Sequence, residues 1–232
     1  MSEMHPCEKR PAEATRPAGG VDPFDASGFV LVSDVVPDVI QEIRYFSTYN
    51  FLGRRVAGYE QPVALMTREA ACALRVASDT FVARGYRIKL FDTYRPQRAV
   101  DDFIAWARDL RDVAMQPVFY PDVPKDELFE RGYIAARSAH SRGSCADMTL
   151  LDAATGRELD MGSPFDFFGP ISHADYAELA PEQLANRALL RDVMVVSGFE
   201  PYHEEWWHFT LADEPYPDTY FAFPASAASV AR

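Results

Sequence analysis

The chain has 232 residues, enough for one domain with a full core. Hydrophobic residues make up 48% and charged residues 25%, and the formal net charge is −12, which argues against a nucleic-acid partner and against docking on anionic lipid. No apolar run reaches the length of a membrane span, the first 25 residues lack the apolar stretch of an export signal, and the three scattered cysteines (Cys7, Cys72, Cys145) read as reduced thiols, so the expected compartment is the cytoplasm.

Residues 1–26 are rich in Pro, Ala, Glu and Gly, and are expected to form a flexible N-terminal arm ahead of a single domain over 27–232. Phe29–Val32 reads as a short strand, Val39–Phe46 as extended, and Tyr49–Gly53 as an aromatic loop. Thr67–Arg84 is a helix with Thr67 as N-cap, Leu74, Ala77, Phe81 and Val82 on one face, and Gly85 as its stop. Tyr86–Tyr94 alternates as a strand with one buried face. Pro96 opens a second helix through about Ala114, which places Arg95 at a strand-to-helix junction. Residues 116–137 are irregular, and Cys145–Leu151 is a strand. Residues 156–173 form a long Gly/Pro/Asp-rich connection. Pro181–Ser197 is a helix stopped by Gly198, and Trp206–Leu211 is the last strand. Without a regular β-α-β alternation, the fold class is α+β, with helices packed on a small, mainly antiparallel central sheet.

Five histidines occur, and two of them fall into a pattern. His140 and Asp147 are seven residues apart, an odd spacing that sends them to opposite faces of one continuous strand. A turn at Gly143 resolves this and lets both side chains face one point. Imidazole and carboxylate are ordinary zinc ligands, and a catalytic zinc keeps three protein ligands and one open position. His208 is the natural third. Glu205, three residues earlier, reaches the same point only if the strand entry is bent, and a spare carboxylate there can take a proton from a metal-activated water. Arg95 is the candidate for the charge that develops on a carbonyl oxygen, although alone it would more simply pair with Asp92.

Ser138, His140, Gly143 and Asp147 spell S-x-H-x-x-G-x-x-x-D, and Glu205–His208 spells E-x-W-H some sixty residues on. Together with Asp92-Thr-Tyr-Arg95-Pro96, the segment from Asp160 to Phe168, Ser172-His173 and Asn186-Arg187, this resembles the VanX-type D-alanyl-D-alanine dipeptidases. That group is related to the VanY-type D,D-carboxypeptidases and the hedgehog domain. The resemblance runs from roughly Phe29 to Leu211. It implies one Zn2+ on His140, Asp147 and His208, Glu205 as general base, Arg95 on the scissile carbonyl oxygen, and Asp166 and Ser138 near the substrate's amino end.

The expected activity is therefore zinc-dependent hydrolysis of free D,D-dipeptides such as D-Ala-D-Ala in a small closed pocket. The alternatives are a D,D-carboxypeptidase and, further off, a non-catalytic zinc-binding module. The expected partner is the dipeptide itself, with no nucleic acid and no membrane, and with room for a homodimer. Cys145 reads as a small buried thiol, and His173 and His203 as supporting or surface residues. Of Trp206 and Trp207, strand alternation sends one to the pocket and one to the core.

Overall fold

The structure is a computed structural model and describes Cys7 and residues 20–231. Its strands are β1 (Phe29–Leu31), β2 (Ile40–Gln41), β3 (Leu65–Thr67), β4 (Tyr86–Asp92), β5 (Cys145–Asp152), β6 (Phe199–Pro201) and β7 (His208–Leu211). Its longer helices are α1 (Arg68–Ala83), α2 (Gln97–Arg108) and α3 (Pro181–Val196). β1 and β3 pair as a small antiparallel ribbon. The other strands form one sheet in the order β2-β4-β5-β7-β6, in which β2 runs parallel to β4 and every other pairing is antiparallel. The expected α+β architecture is present.

Helix α1 begins where the Thr67 hydroxyl accepts the Ala70 N–H at 3.4 Å. It buries Leu74, Ala77 and Phe81 and packs against β4 and α3, whereas Val82, expected on the same face, is exposed, because it follows Phe81 directly and so points about 100° round the helix. It ends before Gly85, whose φ of +84° suits a residue without a side chain. Strand β4 departs from the one-faced strand expected. Ile88 through Asp92 are all buried, because β4 is an inner strand with β2 on one side and β5 on the other. Lys89 is tolerated there because its ammonium reaches the carboxylates of Glu42 and Glu158.

Helix α2 stops at Arg108, six residues short of the expected Ala114. The ammonium of Lys125 draws in the carbonyls of Asp109 and Asp112, which turns the chain away and leaves Leu110 exposed. Aromatic side chains fill the space between α2 and the neighbouring loops. Phe103 lies 5.0 Å from both Tyr45 and Phe51, and Phe51 lies 5.0 Å from Trp106, ring centre to ring centre. Each fully buried ring contributes on the order of 2–3 kcal/mol of transfer free energy.

The connection over 156–173 is long but fixed. From α3, Arg187 donates to the carbonyls of Met161 (2.6 Å), Ile171 (2.8 Å) and His173 (2.9 Å). Trp206 and Trp207 are both buried, not split between pocket and core. The strand begins only at His208, so alternation does not reach them, and the Trp206 indole N–H donates to Ser163 Oγ at 2.9 Å.

The reading of the cysteines as reduced thiols is overturned as well. Cys7 and Cys72 form a disulfide, with Cα atoms 5.5 Å apart, across 65 residues of sequence. Cys145 alone is a free, buried thiol. Apart from Cys7, the part of the arm up to residue 19 lies outside the described residues. Residues 20–26 run along the domain, where Pro23 O accepts the Ala222 N–H at 2.9 Å and Ala26 is buried. Among the described residues, no helix is long and apolar enough to cross a membrane.

Candidate active site

Strand register builds the site. Asp92 on β4 stands opposite Asp147 on β5, and Asp147 stands opposite His208 on β7. Residues in register on neighbouring strands point to the same face, so three polar side chains form one row across the sheet. A register shift between Leu90 and Asp92 lies at the start of this row. Such irregularities re-aim side chains.

His140 joins the row from outside the sheet. It sits on a 3-10 turn, Ala139–Arg142, and its own N–H donates to the Ser138 hydroxyl at 3.3 Å. Gly143 closes the turn at φ +83°, and its N–H donates to the His140 carbonyl at 3.0 Å. The turn needed to bring His140 and Asp147 to one point is therefore present. The Thr93 carbonyl lies 2.6 Å from His140 Nδ1. A carbonyl only accepts, so Nδ1 carries the hydrogen and Nε2 presents a lone pair.

Three atoms then converge. His140 Nε2 and His208 Nδ1 are 3.0 Å apart, His208 Nδ1 and Asp147 Oδ1 are 3.0 Å apart, and His140 Nε2 and Asp147 Oδ1 are 3.2 Å apart. All three residues are buried. A tetrahedral zinc with bonds of 2.0–2.1 Å needs donors roughly 3.3 Å apart, so the triangle fits a metal ion. The far nitrogen of His208, Nε2, is fixed by Thr210 Oγ1 at 3.1 Å, and Thr210 in turn meets the Cys145 sulfur at 3.2 Å. Burial by itself would raise the Asp147 carboxyl, but the charges and hydrogen bonds of His140 and His208 reverse this and hold it below its ordinary value. For His208, burial disfavours the imidazolium, yet its interactions with Asp147 and with the Cys145 sulfur together outweigh that and lift its pKa well above the usual histidine range.

Glu205 lies in the turn between β6 and β7, with Oε2 3.8 Å from His208 Nδ1. That turn is closed by Glu205 N donating to Tyr202 O (3.4 Å) and His208 N donating to Glu205 O (3.3 Å), which is the bent strand entry the spacing required. Its side chain is about 38% exposed and lines the cleft. The cleft walls still desolvate the carboxyl enough to push its pKa up to about 7, with the negative charge of Asp147 adding to the effect.

Arg95 is held on three sides. Its Nε donates to Asp92 Oδ2 at 2.9 Å, its Nη2 lies 3.6 Å from Asp147 Oδ2, and its guanidinium covers the rings of Tyr45 (4.9 Å) and Phe103 (5.2 Å). Asp92 also accepts the Tyr59 hydroxyl at 2.7 Å. The expected Asp92–Arg95 pair is thus present and aims Arg95 into the cleft. Ser138 lies beside it, 3.5 Å from Arg95 Nη1.

Asp166 is buried and lines the same cleft. Its φ of +62° is unusual for a residue with a side chain. Both carboxylate oxygens accept from the Tyr45 hydroxyl, at 3.2 and 3.0 Å. Burial, reinforced by the charge of Asp147, pushes its pKa well above the usual carboxylate range. Tyr45, Tyr59, Thr93 and Thr210 did not stand out in the sequence.

The cleft has a volume of about 520 Å3 and brings together Arg95, Ser138, His140, Asp147, Asp166, Glu205 and His208. It is larger than the small closed pocket expected and continues past these residues to Arg142, Glu200 and Glu214. His173 and His203 do not line it.

Residues 25–226 match the M15 peptidase family, described as D-ala-D-ala dipeptidase. A D-alanyl-D-alanine dipeptidase of Enterococcus faecalis is 42% identical over 200 residues, covering 86% of this chain and 99% of the relative. One from Streptomyces coelicolor is 41% identical over 196 residues, covering 84% and 97%. One from Escherichia coli is 31% identical over 187 residues, covering 81% and 86%. The chain belongs to the M15 peptidase family of metallopeptidases.

Proposed function

We propose that the chain hydrolyses free D,D-dipeptides, D-Ala-D-Ala above all, with one zinc ion held by His140, Asp147 and His208. The carrying observation is the triangle of three buried donor atoms 3.0–3.2 Å apart, with the Glu205 carboxyl beside it. The relatives' substrate supplies the identity of the peptide. A bound zinc ion would polarise the scissile carbonyl and lower the pKa of an attacking water to about 7.

The chain's own residues do the rest. Glu205 Oε2 takes the proton of the attacking water and returns it to the departing amine. A carboxyl with a pKa of about 7 is suited to both transfers at neutral pH. Arg95, braced by Asp92 and Asp147, offers its guanidinium to the oxyanion in a site of low dielectric. Asp166 receives the substrate's ammonium group, and Tyr45 holds that carboxylate in place. Ser138 orders the His140 turn and stands near Arg95. A non-catalytic zinc module would need neither Glu205 nor Arg95.

The extension of the cleft toward Arg142, Glu200 and Glu214 favours one second reading, a D,D-carboxypeptidase acting on a longer tail. The test is a panel of D,D-, L,D- and L,L-dipeptides plus a pentapeptide ending in D-Ala-D-Ala, with and without chelator. Chelator-sensitive turnover confined to D,D-dipeptides is expected. Equal turnover of L,L-dipeptides, or activity that survives chelation, would overturn the reading. A disulfide such as Cys7–Cys72 persists in oxidising compartments, so it weighs against the expected cytoplasmic location. Comparing thiol labelling of cytoplasmic and exported fractions decides between them.

A further inference from the structure

A second group of metal-binding side chains lies on the surface. His173, Asp175 and His203 place one donor atom each within 4.8 Å of one another. His203 Nδ1 and Asp175 Oδ1 are 3.6 Å apart, and the two imidazole rings are 5.8 Å apart at 43°. The side chains of His203 and Asp175 are 67% and 69% exposed. From these positions we infer a second metal site, formed by His173, Asp175 and His203, that takes a divalent transition ion and clamps the turn carrying Glu205.

The backbone around the site is already braced. The Ala174 N–H donates to the His203 carbonyl at 2.8 Å, and the Trp206 N–H donates to the Ser172 carbonyl at 2.9 Å. These two bonds lace the 172–174 segment to the 203–206 turn. Arg187 fixes the first segment from below through the Ile171 and His173 carbonyls. The three ligand backbones are thus positioned before any ion arrives, which lowers the ordering cost of binding. Bonds of 2.0–2.2 Å call for donors roughly 3.3–3.6 Å apart, and His203 Nδ1 and Asp175 Oδ1, 3.6 Å apart, already meet that; the third donor lies within 4.8 Å of both. Exposed side chains on Asp175 and His203 can take up the remaining difference by rotation.

Two imidazoles and a carboxylate select zinc, nickel or copper over magnesium or calcium, which take oxygen ligands. The buried centre has the same donor types, but its donors are 3.0–3.2 Å apart and shielded. The surface site is looser and open to water, so it binds more weakly and fills second. Once filled, it cross-links the two segments through side chains as well as backbone. Glu205 lies two residues after His203, so the clamp acts directly on the turn that presents it.

The test is equilibrium dialysis of metal-free protein against Zn2+ alone, comparing the wild type with His203→Ala and His173→Ala. The wild type is expected to take up one more zinc per chain than either variant. Uptake is read as a difference, so the result does not depend on whether the buried centre is catalytic. Equal uptake by wild type and variants would overturn the site and leave a histidine–aspartate ion pair. A thermal melt tests the clamp. The wild-type Tm should rise as the weaker equivalent binds while that of His203→Ala stays put, and no rise in the wild type would overturn the clamp.

Discussion

Glu205 and Asp166 are two carboxyls in one cleft, both pushed upward by burial and by the charge of Asp147. For Glu205 the consequence is catalytic. A base that titrates at about 7 should give a kcat/KM that climbs tenfold per pH unit below 7 and flattens above it. A bound dication draws that limb to lower pH without removing it. Glu205→Gln is expected to lose at least about a hundredfold in kcat and to abolish the limb, as a pH–rate profile would show. For Asp166 the consequence falls on stability. Its raised pKa means the folded chain holds that proton more tightly than the unfolded chain, so its contribution is fully present at low pH and is lost as pH rises through the raised value. Asp166→Asn should therefore raise Tm at neutral pH while raising KM for D-Ala-D-Ala at least tenfold, and asparagine accepts the φ of +62°. A melt and a Michaelis curve check both halves. The convergence of His140, Asp147, His208 and Glu205 was legible in the sequence because histidine is scarce and imidazole and carboxylate recur there in a distinctive spacing. Tyr45 and the Thr93 carbonyl were not, because a tyrosine hydroxyl and a backbone oxygen leave no pattern.

At the level of elements, the site depends on a register and a turn. The row Asp92–Asp147–His208 crosses three strands that are distant in sequence, so no local spacing reveals it. The turn at Gly143 was legible, since the odd separation of His140 and Asp147 demanded one. A Cβ on Gly143 would lie 2.2 Å from the Phe29 ring and would force a side chain to φ +83°. Gly143→Ala should cost about 2–4 kcal/mol in a denaturant titration. Gly156→Ala is the control, with φ +69° but nothing within 4 Å, and should cost only the backbone share, about 1–2 kcal/mol. Helix α2 ran short of its apolar periodicity because Lys125, some sixteen residues on, captures the carbonyls that would have continued it. Periodicity cannot see such a tertiary contact.

At the scale of the whole molecule, the described residues have an α+β fold tied at one corner by a disulfide that the cysteine count did not suggest. Three scattered cysteines give no arithmetic that singles out Cys7 and Cys72, because only folding brings α1 to the arm. Closing a loop across 65 residues is worth about 4 kcal/mol by loop-closure entropy, or roughly 10 °C in Tm. Cys72→Ala, or reduction of the wild type, should lower Tm by about that amount and leave dipeptidase activity intact, since neither cysteine lines the cleft. The sharpest measurement of the enzyme as a whole is a zinc titration of metal-free protein with D-alanine release from D-Ala-D-Ala as the readout. Activity should rise linearly from zero and break at one zinc per chain, with His208→Ala silent throughout. Full activity before zinc is added, or an undiminished His208→Ala enzyme, would contradict it.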